Sequence, residues 1–394
     1  MIDSRLAGTS LHLCRGMTGD VELEPCSHFR KDCFPMRLLI QLTLLCLLVV
    51  LLSLPAVSQP ADTSVRRRFE TIANQIITGG LGTGKAYSML RELTTSVGAR
   101  LSGSPSAGRA VDWAEQTMKK LGFQNVHREP VIVPHWVRGS VEQGSVKPSR
   151  GDERDLTICA LGGSIATPEN GITAEVVEVK SFEELRGMGD KAKGKIVFFN
   201  RPFDRTKFST FESYGGAVNQ RGQGAVEAAR AGGVAALVRS MTSRIDDVPH
   251  TGAMNYNDSI PKVPAAAVST VGADLLDSLL AADSGLRVSL RLSCQMLPDT
   301  ESANVVGELT GTEHPGEVIV IGGHLDSWDK GRGAHDDGAG CSHSLEALRL
   351  LKDLGLAPKR TIRAVLFMNE ENGLRGGKAY AAKERLGEKH VAAI

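Results

Sequence analysis

Two apolar segments, Val318–Ile321 and Thr361–Phe367, constrain this chain more than any other feature. Val318–Ile321 is apolar throughout, and Thr361–Phe367 is interrupted only by Thr361 and Arg363. Strands of this kind must be covered on both sides, which a parallel sheet achieves when helices cross over its faces. The crossover is present: Ser342–Leu354 has helical spacing, closes at Gly355 and is followed by Pro358. Open sheets of this type bind ligands at the carboxyl ends of their strands. His324 lies just beyond the first strand and Glu370-Glu371 just beyond the second. Both groups are therefore expected on one rim, with Asp336 between them in a loop rich in glycine.

The rest of the chain reads as two further textures. Residues 65–125 are predicted helical, with Tyr87, Leu90, Leu93 and Val97 and then Val111, Ala114, Met118 and Leu121 at three- and four-residue spacing. From about 126 to 298 short strands dominate: Val131–Val133, Ala174–Val179, Lys195–Asn200, Ala235–Arg239, Ala265–Ser269 and Arg287–Leu292, with one helix at Gln223–Ala231. A β-rich segment placed between helices and an α/β core reads as an inserted lid. The expected domains are 59–125 for the helical part of the core, 126–298 for the insert and 299–394 for the first part of the core sheet. A net charge of +1 points to no nucleic acid partner, and 43 glycines with 5% aromatics suit a loop-rich α/β protein.

The N-terminal region is read separately. Leu38–Leu54 is almost wholly apolar, follows Arg37 and leads to Ala56-Val57-Ser58. With initiation at Met36, residues 36–58 read as a signal peptide and 1–35 as a leader outside the native fold. A signal anchor is the alternative. Either reading sends the remainder into the secretory pathway, extracellular or lysosomal, with no membrane association after cleavage. Asn257-Asp258-Ser259 is a glycosylation sequon. Of the cysteines beyond the signal, Cys159 and Cys294 are one candidate disulfide, and Cys341 is left over.

The residues on the rim suit a metal site. Zinc takes imidazole and carboxylate ligands, and a two-metal hydrolase needs a carboxylate shared between its ions. Asp336 is the expected bridge, His324 a ligand to one metal and Glu371 to the other. Glu370 is adjacent but on the other side of an extended backbone, which makes it the expected general base. Asp326 is expected to accept the second ring N–H of His324 and fix its orientation. Asp329 and Asp337 are read as loop-shaping, His343 as a surface residue, and His135-Trp136 as lining or packing the lid.

Gly323-His324-Leu325-Asp326-Ser327-Trp328-Asp329, Asp336-Asp337-Gly338 and Glu370-Glu371 together resemble the M28 family of co-catalytic zinc metallopeptidases. The likeness extends through Arg100-Leu101-Ser102-Gly103-Ser104, Glu129–Trp136 and Gly224–Ala229. It implies a three-layer α/β zinc-peptidase core with a mostly parallel sheet and a protease-associated-like lid. It implies two zinc ions per complete site, small peptide substrates and a homodimer. The activity implied is that of a metallocarboxypeptidase or dipeptidase, with metal-activated water and Glu370 as base. A propeptide is also implied, and Arg66-Arg67-Arg68 could mark its end. The alternatives are an inactive peptidase-like binding ectodomain and an inactive shortened form. His335 is read as a non-ligand. The family pattern calls for two more ligands, an Asp after another strand and a late His. With the sequence ending at Ile394, three of five would be present, and strand Thr361–Phe367 would be left as an uncovered edge.

Overall fold

The computed structural model describes residues 61–394. The leader and signal segments expected at 1–35 and 36–58 lie outside the described residues. Contacts divide the chain into Met1–Arg68 and Phe69–Ile394. The described part of the first unit is helical, and all that follows concerns the second.

Helix α1 (Ala61–Thr83) precedes α2 (Ala86–Glu92), whose last turn widens through Val97, and α3 (Pro105–Lys120). Strand β1 (Gln124–Val137) then leads into β2 (Glu142–Lys147), β3 (Arg154–Leu156), β4 (Ile158–Ala160) and β5 (Ile172–Val179). Helix α4 (Phe182–Gly187), β6 (Ile196–Phe199), α5 (Thr210–Arg230), β7 (Ala235–Arg239), β8 (Ala265–Val268), α6 (Thr270–Ala282) and β9 (Arg287–Leu292) follow. Strand β10 (Gln295–Leu309) returns to β11 (His314–His324), α7 (Ala339–Asp353), β12 (Arg360–Phe367), α8 (Arg375–Ala382) and β13 (Lys389–Ala393).

These strands form two sheets. The first runs β1-β10-β12-β11-β13, and the second β3-β2-β9-β5-β6-β7-β8-β4. In the first, β12, β11 and β13 pair in parallel, while β1 and β10 join antiparallel. β1 and β10 bracket the second sheet in sequence and pair along most of their length, from Gln124 opposite Glu308 to Val137 opposite Gln295.

One face of the first sheet packs on α2, α3 and α7. Ala107, Ala110, Val111, Ala114 and Met118 line α3 toward Val305, Ala364 and Leu366, and α7 adds Cys341, Leu345 and Leu348. This is the apolar stripe that helical spacing requires. Ser104 caps α3, accepting from the amide of Ala107 at 3.1 Å, with Pro105 in the first helical position. The other face carries a smaller cluster of Val306, Val318, Val320 and Val365 under Tyr380 of α8.

Several elements differ from the sequence reading. The strand Thr361–Phe367, expected as an uncovered edge, lies inside the sheet between β10 and β11. The reason is β10, whose first half is polar and masks Val305–Leu309, the half that pairs with β12. The helix expected at Gln223–Ala231 begins at Thr210. Gly215, Gly216 and Gly222 lower its propensity, but packing of Ala217, Ala225 and Ala228 and the hydrogen bonds of Gln220 to the backbone of Arg201 hold it. Cys159 and Cys294 are free thiols. They belong to the clusters on opposite faces of the second sheet, so neither can reach the other.

Trp328 joins the two sheets. It follows β11, yet its indole packs against the core of the second sheet, on Gly162. A Cβ at Gly162 would lie 1.9 Å from the Trp328 ring. Gly162→Ala is therefore expected to expel the indole and cost about 1–3 kcal/mol. A urea-unfolding midpoint equal to that of the parent chain would refute this seating.

Candidate metal centre

The parallel register of β11 and β12 sets the site. His324, the last residue of β11, sits beside Phe367, the last of β12. Leu325 then donates its amide to the carbonyl of Phe367 at 2.6 Å, so both chains leave the sheet on one rim. Glu370 and Glu371 follow within four residues.

On that rim His324 Nδ1 lies 3.1 Å from the main-chain oxygen of Asp326. A carbonyl can only accept, so Nδ1 carries the proton toward it and Nε2 is left to face the cleft. Nε2 lies 2.9 Å from Asp336 Oδ1 and 3.8 Å from Glu370 Oε2. One donor atom each from His324, Asp336 and Glu371 lie within 4.8 Å of one another. A nitrogen and two carboxylate oxygens converging in this way fit a zinc ion. Asp336 and Asp337 are joined by a cis peptide bond. Asp337 turns the other way and accepts the amides of His324 and Gly340, each at 3.0 Å.

Asp326 is placed differently from its expected role. Its carboxylate stands 3.9 Å from His324 Nδ1, while its two oxygens accept the amides of Glu370 at 3.0 Å and Glu371 at 3.2 Å. The side chain is fully buried, and those amides are the donors nearest to it. Asp326 thus orients His324 through its backbone and the glutamate pair through its carboxylate. It is a positioning residue.

Other positioning groups were not anticipated. Arg100, fully buried, donates from Nε to Leu325 O at 2.5 Å, from Nη1 to Arg332 O at 2.8 Å and from Nη2 to Gly333 O at 2.9 Å. It ties together both ends of the loop that leads to Asp336. Asn369 donates to Ser102 Oγ at 2.8 Å, and Ser102 to Asn372 at 2.7 Å, clasping the turn around the glutamates. The presence of Arg100 and Ser102 in one motif-like segment was the available signal. Asp329 pairs with Arg138 at 2.7 Å. Trp136 is packing, its indole N–H donating to Ser164 O at 2.9 Å. His335, His343 and Asn257 are exposed and stand outside the donor group.

The carboxylates and the imidazole perturb one another. Burial opposes the charge on His324, but the Asp336 hydrogen bond and the carboxylates of Asp326, Glu370 and Glu371 outweigh it and push its pKa up to about 9. Burial, reinforced by the charge of Asp336, pushes Glu371 up to about 8. Burial also raises Glu370 and Asp326, whereas the His324 hydrogen bond lowers Asp336.

The donors open into a cleft of about 840 Å³. Its walls come from two parts of the chain: His324, Asp336, Glu370 and Glu371 on the rim of the first sheet, and Phe211, Tyr214 and Arg221 of α5 with Gly252 of the segment between β7 and β8.

Comparison with known proteins bears on this arrangement. The sequence model of peptidase family M28 matches residues 304–394. Carboxypeptidase Q of Bos taurus is 42% identical over 301 residues, covering 76% of this chain and 61% of the relative. The chain thus spans less than two thirds of that relative's length. The crystal structure of a peptidase M28 precursor from Shewanella amazonensis superposes with a TM-score of 0.78 at 38% identity, covering 82% of this chain and 72% of the other. A zinc aminopeptidase from Bacillus subtilis shares the fold, with a TM-score of 0.55 at 22% identity over 78% of this chain and 67% of the other.

Proposed function

The chain belongs to peptidase family M28, and from that premise we propose that it is a zinc-dependent exopeptidase or dipeptidase acting on short unblocked peptides. The observation that carries the reading is the convergence of His324, Asp336 and Glu371 at the carboxyl ends of two parallel strands, with Glu370 beside them. His324 would hold one ion and Glu371 a second, with Asp336 shared. Zinc supplies a Lewis acid there and lowers the pKa of water. Glu370 is outside the donor trio and next to it, with a pKa raised by burial toward the working range of a base. It takes a proton from the attacking water and returns it to the leaving amine. Asp326 and Asn369 hold the glutamate turn so that this proton moves between fixed positions.

Helix α5, which packs on the second sheet, contributes part of the cleft wall, and this supports a lid-like role for the segment 126–298. The apolar run Leu38–Leu54 supports entry into the secretory pathway. Among the described residues no helix is long and apolar enough to cross a membrane.

A pH dependence follows from the same groups. Without metal, His324 and Glu371 titrate near 9 and 8, so both hold protons at pH 7. Metal requires both bare. Zinc binding at pH 7 is therefore expected to release about two protons, and affinity is expected to rise with pH until it levels off above the two pKa values. Calorimetry in buffers of different ionisation enthalpy measures the release. A binding enthalpy independent of the buffer would refute it. The activity itself is tested by hydrolysis of free dipeptides by the zinc-loaded full chain.

A further inference from the structure

Among the described residues, the partly buried cation of the cleft, Arg221, has no counter-charge. Arg221, on α5, lines the cavity that His324, Asp336, Glu370 and Glu371 also line. Its guanidinium lies over the Tyr214 ring, 5.4 Å from the centroid, and Nη2 donates to the Tyr214 hydroxyl. Nε is buried with no hydrogen-bond partner. Among the described residues no carboxylate forms an ion pair with it. Other arginines of the same region behave differently: Arg138 meets Asp329 and Glu142, and Arg239 meets Asp274.

The guanidinium is nonetheless held in place. A Cβ at Gly252 would lie 2.3 Å from Nη1, 2.4 Å from Cζ and 2.7 Å from Nε of Arg221, so the guanidinium lies flat on the backbone of this glycine. The Tyr214 ring and hydroxyl fix it further. A planar fork immobilised in this way, whose Nη1 has no acceptor among the described residues, is suited to a carboxylate.

The charges of the cleft say which end of a peptide it would meet. The acidic groups that line it are Asp336, Glu370 and Glu371. All three are taken up by the metal site and the base. The charges left over are positive, Arg221 and the exposed Lys378. Among the described residues, no other carboxylate lines the cleft to receive the ammonium group of a substrate.

We propose that Arg221 binds the free carboxylate of the peptide and is the residue that makes recognition carboxy-terminal. The proposal rests on the peptidase reading above, but it can fail separately. Its test is calorimetric: alanyl-leucine and alanyl-leucinamide are titrated into the zinc-loaded full chain carrying Glu370→Gln, which suppresses turnover. The free acid is expected to bind about 10- to 100-fold more tightly than the amide. Arg221→Ala added to that background is expected to erase the preference while leaving amide binding within about twofold, and Arg221→Lys to restore part of it. If Arg221→Ala does not fold, the near-isosteric Arg221→Gln carries the same measurement. Equal binding of acid and amide, binding of neither, or an acid preference that survives the loss of Arg221 overturns the proposal. Hydrolysis of alanyl-leucine by the parent chain is assayed separately. Its absence, with the Arg221-dependent preference intact, would overturn the peptidase reading and leave the carboxylate site standing.

Discussion

Replacing Glu370 with glutamine is expected to reduce turnover of dipeptides by about 10²–10⁴-fold while zinc content stays at the parent level. The side chain of Glu370 is no part of the donor trio, which is His324, Asp336 and Glu371. Its tie to Asp326 runs through its own main-chain amide, at 3.0 Å, and survives the substitution. Glutamine keeps the shape and removes only the ability to take a proton. The neighbouring Glu371→Gln provides the contrast, since it removes a donor atom and should lose metal and turnover together. Turnover and zinc content of the two variants, measured side by side, separate a base from a ligand. Undiminished hydrolysis by Glu370→Gln would falsify the assignment of the base, and normal metal retention by Glu371→Gln would falsify that of the ligand.

The grouping of the candidate metal donors was legible in sequence because these residues sit at strand ends. A buried strand announces itself by composition, and its carboxyl end is where ligands gather. His324, Asp336, Glu370 and Glu371 could be gathered on that argument alone. What escaped it was everything that depends on a residue far away in sequence. Asp326 was read as a partner for the His324 ring because it is two residues distant. The structure turns its carboxylate to the amides of Glu370 and Glu371 instead, donors that local spacing cannot reveal. Strand β10 was missed because only its second half is apolar, and the place of β12 inside the sheet was missed with it. Arg221 drew no attention because it lay just outside the helix expected from Gln223, where an arginine is ordinarily a solvated residue. Its interest arises only from the absence of a counter-charge beside it.

Arg100→Met is expected to destabilise the fold by about 3–5 kcal/mol, the range for removing one partner from a buried charged network. Arg100 is fully buried and its charge sits among Asp326, Asp337 and Glu371. Burial alone lowers its pKa, and those anions act in the opposite sense. Methionine would fill most of the space, but it leaves the carbonyls of Leu325, Arg332 and Gly333 without their donor. It also removes a positive charge from beside the carboxylates of Asp326 and Asp337. The first carbonyl adjoins His324 and the other two close the loop before Asp336, so the distance between two metal donors depends on this one side chain. Metal retention should therefore fall along with stability. Arg100→Lys tests the geometry apart from the charge: one ammonium group cannot span three carbonyls as a planar fork does, so it should recover part of the stability and little of the metal binding. Urea midpoints and zinc content after dialysis report the two effects. An Arg100→Met chain that unfolds at the parental midpoint, or that keeps its full complement of zinc, would show that the loop is held by something other than this arginine.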